Sequence, residues 1–226
     1  MKIIVGHQPQ DVSRLTADWI ARRLRDAVRR RGLGTVAFSG GSTPVPMLAL
    51  LAQHDVPWDQ IWAFQVDERC VPDGHPDRNV GMLAALPLPK GNLVAMPAGV
   101  INLKAAAKRY ADKLPQQFDI VHLGMGDDGH TASWPPQHAV LSSTTPVDII
   151  DMFNGCPRMT LTPGPVNAAR ARIMEIEGAN KASMVERWLL QDPLLPVSRL
   201  RRPGTTVILD AAAASRIQLS PLHPQH

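Results

Sequence analysis

The sequence predicts an α/β fold, an open, mostly parallel sheet flanked by helices on both faces. Two observations carry this. Short apolar runs of strand length alternate with longer stretches whose apolar residues recur at helical spacing. Three of the runs then end in polar or glycine-rich segments, the pattern of an open sheet that binds its ligand beyond the carboxyl ends of its strands. With 226 residues, 44% hydrophobic and 19% charged, the chain reads as one α/β domain over 1–219, with a small lobe around 135–165. Residues 220–226 read as a frayed tail.

The expected strands are 2–5, 34–38, 61–66, 92–96, 118–123, 158–162, 171–177 and 205–209. Between them helices are expected at 9–31, 44–54, 78–86, 103–114, 164–169, 179–191 and 210–216. The first helix is the most regular: Val12, Leu15, Trp19, Ile20, Leu24 and Val28 form one stripe, and Asp18, Arg22, Arg25 and Arg29 another, with Asp18 and Arg22 spaced for an i,i+4 pair. Prolines punctuate 135–165 and leave its elements undefined beyond the run at 158–162.

Charge and cysteines narrow the function classes. The formal charge is +4, but much of the basic excess is local to the first helix, and no helix-turn-helix, zinc-finger spacing or aromatic interleaving accompanies it. A solvated helix face explains it, so no nucleic-acid partner is expected; a basic surface favours an anionic small molecule. Cys70 and Cys156 lie far apart with no CxxC and no Cys/His cluster, which fits a reducing cytoplasm and excludes a disulfide framework or structural zinc. The Met1-Lys-Ile-Ile-Val5 run is too short for a signal peptide, and no apolar run has membrane-spanning length, so a soluble protein without a membrane partner is expected.

Chemistry gathers after three strands. Gly124-Met-Gly-Asp-Asp-Gly-His-Thr-Ala-Ser133 sets two carboxylates and His130 beyond the run at 118–123, in a loop whose glycines permit close approach to a ligand; the bland alternative is a turn with a solvated histidine. Ser39-Gly-Gly-Ser-Thr-Pro44 follows 34–38, with Ser42 or Thr43 as helix cap and Pro44 in the first turn, and reads as a phosphate cradle or a tight strand-to-helix turn. Asp67-Glu-Arg69 ends 61–66. Either Arg69 pairs with Asp67 or Glu68, or these groups meet a polar ligand, since unpaired buried charge is costly.

Together these segments, with Arg158-x-Thr-Leu-Thr162 and Glu177-Gly-Ala-Asn-Lys-Ala182, resemble the 6-phosphogluconolactonases, in the family's order and over most of the chain. Glucosamine-6-phosphate deaminases share the phosphate loop and the Asp-Gly-His core, but place in their relay a Glu where this chain has Pro135, and end the strand Asp-Glu-Tyr where it has Asp67-Glu-Arg69. Pro135 has no proton to move. A deaminase, and a sugar-phosphate-binding module without catalysis, are the alternatives. The usual Leu-Phe-Pro and Asp-Ser-Asn of the lactonases read Trp134-Pro135-Pro136 and Asp77-Arg78-Asn79, departures expected to reshape the pocket wall.

The resemblance implies hydrolysis of 6-phospho-D-glucono-1,5-lactone to 6-phosphogluconate in the oxidative pentose phosphate pathway by a cytoplasmic monomer, with no cofactor and no metal. It implies His130 as general base and Asp128 as its orienter, with loop N–H groups receiving the oxyanion. Gly40, Gly41, Ser42 and Thr43 fall at the phosphate, with Arg69 and Lys181 as the cations, the first a planar fork and the second a mobile point charge. Asp67 is expected to position Arg69 or a sugar hydroxyl, and Asn79 and Gly129 complete the contacts. Arg158 is either a further contact or, the favoured reading, a surface strand residue. His122, on the strand, reads as packed or hydrogen-bonded rather than catalytic, and the tryptophans and methionines as core.

Overall fold

The computed structural model describes residues 1–217. Strands and helices alternate in the order β1 (Lys2–Gly6), α1 (Pro9–Arg31), β2 (Gly34–Phe38), α2 (Pro44–Leu51), β3 (Ile61–Gln65), β4 (Asp67–Arg69), β5 (Leu93–Val94), α3 (Leu103–Ala111) and β6 (Ile120–Leu123). They continue with β7 (Val147–Phe153), β8 (Cys156–Leu161), α4 (Pro163–Ala168), β9 (Ala171–Ile176), α5 (Ala182–Leu189) and β10 (Thr205–Asp210). Seven strands form one sheet in the order β1-β10-β9-β6-β2-β3-β5, every pair parallel. A second sheet, β4-β8-β7, is antiparallel.

The period-2 alternation of side chains divides the large sheet between two cores. Val36, Ile120, Ile173 and Ile208 face α1 and α2, while Ala37, Val121, Met174 and Leu209 face the other way, toward α5 and the small sheet. Both faces are buried, which is why the strands read as continuous apolar runs. In α1 the predicted stripe is buried at Val12, Ile20 and Leu24, with Asp11 in the first turn and Arg29 to Arg31 in the last, each sign at the end of the helix dipole that favours it. The predicted Asp18–Arg22 pair does not form. Asp18 takes Arg14 at 3.6 Å and His54 at 3.1 Å, because α2 brings its C-terminal loop against this face.

Several boundaries differ from expectation. The run at 61–66 breaks at Val66, whose N–H donates to Phe38 and whose carbonyl accepts from Leu161, so the charged residues that follow turn away to pair with β8. The run at 158–162 belongs to this small antiparallel sheet, not to the parallel one, and β7 was not anticipated. Strand 92–96 contracts to β5, and 78–86 is a 3₁₀ segment, Asn79–Ala85, followed by Pro87 and Pro89. The expected helix at 210–216 is a series of turns wound around the Asp210 carboxylate, which accepts from Gly178 and Ala213. The expected tail, 220–226, lies outside the described residues.

Candidate active site

The strand order reverses beside β2: β3 and β5 lie on one flank, β6, β9, β10 and β1 on the other. The crevice at the carboxyl ends of β2 and β6 is therefore the topological switch point, the place where open α/β sheets bind ligands. The loop after β2 and the loop after β6 border it, stitched together where Ser39 N–H donates to the His122 carbonyl at 3.1 Å. A cleft of about 500 Å³ opens there, and every sequence-predicted site residue except Gly129 lines it. Gly129 stands behind the wall, its carbonyl accepting from Val197.

His130 is built from its neighbours. Its Nδ1 lies 2.5 Å from Asp128 Oδ1, and its backbone N–H donates to the same oxygen at 3.0 Å. Partial burial alone would push the Asp128 carboxyl up, but the His130 backbone N–H and the imidazole together hold it below its ordinary value. The imidazole lies so close to Gly126 that a Cβ there would stand 2.0 Å from the ring, and the Phe153 ring meets it edge-on at 4.9 Å between centroids. With Nδ1 committed to Asp128, Nε2 is the ring atom left for chemistry.

The predicted oxyanion donors narrow to part of the glycine-rich loop. The N–H groups of Gly126 and Gly129 are spent within the loop on His130 and Gly126 carbonyls, whereas those of Thr131 and Ala132, both on the cleft wall, donate to no group among the described residues. The same holds for the N–H groups of Gly40, Gly41, Ser42 and Thr43. Thr43 is the residue before α2, yet neither it nor Ser42 caps the helix with its side chain. Four amides and the positive end of α2 thus face the cleft, an arrangement that suits an anion.

Asn79 fixes this loop. Its Nδ2 donates to the Asp67 carbonyl at 3.1 Å, and its side chain presses on Gly40 so closely that a Cβ would meet it at 2.0 Å. Glu68, fully buried and absent from the predicted site, holds the segment from below: it accepts from Gln65 and from the amides of Arg69, Asn79 and Val80, and lies 3.1 Å from Arg78. Arg78 is therefore a buried partner of Glu68 and Asp73, and Trp134 is buried with Nε1 donating to Leu161 at 2.7 Å. None of Trp134, Pro135, Pro136 and Arg78 lines the cleft itself.

The charged groups sort differently from the simplest pairing. Arg69 turns to Asp77, at 3.2 Å from its carbonyl and 3.6 Å from its carboxylate, not to Asp67 or Glu68. Asp67 does not position Arg69; it accepts from Ser133 Oγ at 2.8 Å. Burial raises the Asp67 carboxyl above its ordinary value, against the opposing pull of Ser133 and Arg158. Arg158 is 7% exposed, so the surface reading is wrong: it lines the cleft with Nε donating to the Phe153 carbonyl at 3.2 Å. Lys181 reaches the cleft but is paired with Asp127. His122 is hydrogen-bonded as expected, to Glu175 at 2.8 Å, and also borders the cleft.

Phe153 was legible in principle. Asn154-Gly155 has positive φ at both residues, 50° and 87°, the two-residue hairpin turn that joins β7 to β8. That signal lies inside the proline-rich stretch 135–165, whose punctuation obscures it. Among the described residues, no helix is long and apolar enough to cross a membrane.

A 6-phosphogluconolactonase from Nostoc sp. is 35% identical over 221 residues, covering 89% of this chain and 92% of the relative. The crystal structure of a 6-phosphogluconolactonase from Shewanella baltica superposes with a TM-score of 0.85 at 25% identity, over 93% of this chain and 98% of that one. A monomeric glucosamine-6-phosphate deaminase shares the fold, with a TM-score of 0.82 at 16% identity over 95% of this chain and 99% of that one. Residues 7–209 match the family described as glucosamine-6-phosphate isomerases/6-phosphogluconolactonase, so the chain belongs to that family.

Proposed function

We propose that this chain hydrolyses 6-phospho-D-glucono-1,5-lactone to 6-phospho-D-gluconate, the second step of the oxidative pentose phosphate pathway, with His130 as general base. The observation that carries the reading is one cleft holding both the His130–Asp128 couple and the loop 40–43, whose N–H groups donate to no group among the described residues. The 35% identical Nostoc relative bears the lactonase name over nearly its whole length.

In this reading the Asp128 carboxylate accepts from Nδ1–H and keeps Nε2 as the proton acceptor. Nε2 takes a proton from water as the water oxygen bonds to the lactone carbonyl carbon. The tetrahedral oxyanion is met by the N–H groups of Thr131 and Ala132. As the bond from carbon to ring oxygen breaks, the imidazolium returns the proton to that oxygen and the open-chain acid leaves. The phosphate rests on the amides of residues 40–43, with Arg69 and Lys181 supplying charge, Arg158 a further contact, and Asp67 and Asn79 holding the wall.

We further read the enzyme as a cytoplasmic monomer, in keeping with two unpaired cysteines. The test is lactone hydrolysis above the spontaneous rate, with lactone generated in situ by a glucose-6-phosphate dehydrogenase and ammonia release from glucosamine 6-phosphate measured beside it. Lactone turnover without ammonia is expected. Ammonia alone would assign the deaminase branch, and silence in both would leave a sugar-phosphate binder.

A further inference from the structure

The floor of the cleft carries polar groups that the proposed hydrolysis does not use. Ser39 Oγ, His122 Nδ1 and Glu175 Oε1 are buried with no hydrogen-bond partner among the described residues, and all three residues border the cleft. Their neighbours on β6 and β9, Val121, Leu123, Met174 and Ile176, are buried and apolar. An imidazole and a carboxylate set into such strands are costly unless the surface they support is meant to be polar.

Glu177 is the part of this floor that a ligand can reach. It borders the cleft just past the end of β9, half-buried, and the one hydrogen bond of its side chain among the described residues is from Ser13 Oγ, 3.5 Å from Oε1. Oε2 has no protein partner among those residues. Glu177 and the reacting end share one cleft: a Cβ on Gly124 would lie 3.9 Å from the Glu175 carbonyl, and Glu177, Gly126 and His130, whose ring rests on that glycine, all line it.

The chemistry of the group limits its ligand. A phosphate is repelled by the Glu177 carboxylate and is drawn to the amide loop and the cations. No cluster of His, Cys, Asp or Glu among the described residues is placed to hold a metal ion. Asp210, the other carboxylate nearby, is spent on the Gly178 and Ala213 amides. On the lactonase reading the substrate carries no cationic donor, and the donors that remain are its hydroxyl groups.

We propose that Glu177 is a substrate-binding residue whose carboxylate accepts hydrogen bonds from ring hydroxyls of the lactone, with the His122–Glu175 pair beneath it keeping the floor polar. This rests on the lactonase reading and adds to it the origin of selectivity. The phosphate is drawn to one part of the cleft and turned away from another, so the ring enters one way round. The hydroxyls that meet Glu177 then distinguish the sugar lactone from its deoxy analogues.

The experiment compares kcat/KM for 6-phosphogluconolactone and its 2-deoxy and 3-deoxy counterparts, prepared by oxidation of the parent sugar phosphates, in the wild type and in Glu177→Ala and Glu177→Gln. The wild type is expected to prefer the parent over at least one deoxy lactone by tenfold or more. In Glu177→Ala that preference shrinks below threefold, through a raised KM for the parent that exceeds the rise for the deoxy lactone. Glu177→Gln, which keeps the shape and one acceptor oxygen, is expected to retain part of the preference and decides the matter if the Ala variant does not fold. An unchanged preference in the variants overturns the role of Glu177 while leaving the lactonase reading standing. Failure of the wild type to open the parent lactone overturns both.

Discussion

The ammonium group of Lys181 is held by the carboxylate of Asp127, and Asn180 Nδ2 donates to the same oxygen at 2.9 Å. The cation read as a phosphate contact is thus already paired by an acid from the His130 loop, and a phosphate must displace that acid. Asp127 is largely exposed, so the pair is worth about 0.2–1 kcal/mol. Asp127→Asn is expected to tighten 6-phosphogluconate inhibition by about two- to fivefold at low salt, a gain that fades as ionic strength rises. Inhibition constants at two salt concentrations check it; unchanged affinity would mean that Lys181 does not meet the phosphate.

Gly126 is where backbone and catalysis touch. A Cβ there would lie 2.0 Å from His130 Nδ1, so Gly126→Ala must push the ring off Asp128. The ring is the movable party, and the fold should survive. The expected outcome is a loss of kcat on the order of 10²-fold, comparable to losing general-base assistance, with KM little changed and an unaltered circular dichroism spectrum. A variant with normal kcat would show that the Asp128–His130 geometry is not needed for turnover.

The sequence made the parallel sheet legible because strands buried on both faces, such as 34–38 and 205–209, must be largely apolar, with threonine their one uncharged polar type. It made the three loops legible because charge at a strand end has few physical explanations. What it hid depends on partners distant in sequence. The run to Val66 gives no sign that Asp67 to Arg69 join β8, a strand from far along the chain. Arg158 reads as solvent-facing until β7 folds beside it and brings up Phe153. Glu68 reads as one more loop charge until the amides of Asn79 and Val80 converge on it.

Asp128→Asn tests the orienting carboxylate without emptying the space. The amide can still meet Nδ1 but no longer stabilises the charged imidazole, and a loss of kcat on the order of 10²-fold is expected. The Asp128 carboxyl is depressed in the folded chain, so its contribution to stability is present above the ordinary carboxylate value and disappears as pH falls through the folded value. The variant should therefore lose Tm relative to wild type at pH 7, and the gap should close in strong acid. A constant gap across that range would assign the loss to packing instead.

Glu177 gives the opposite sign. Burial first, then the neighbouring carboxylates Glu175 and Asp210, raise it from 4.5 to about 7, while Ser13 pulls weakly the other way. A carboxyl raised on folding binds its proton more tightly in the folded state, so ionising it works against the fold. Its stabilising share is complete below pH 4.5, falls as pH rises, and is gone above about 7. Glu177→Gln removes the titration: its Tm relative to wild type should be higher at pH 8 than at pH 4.5, with the change spread between those two values. Thermal melts across this interval decide it, and a difference that does not move with pH would mean that the Glu177 carboxyl titrates alike in the folded and unfolded chain.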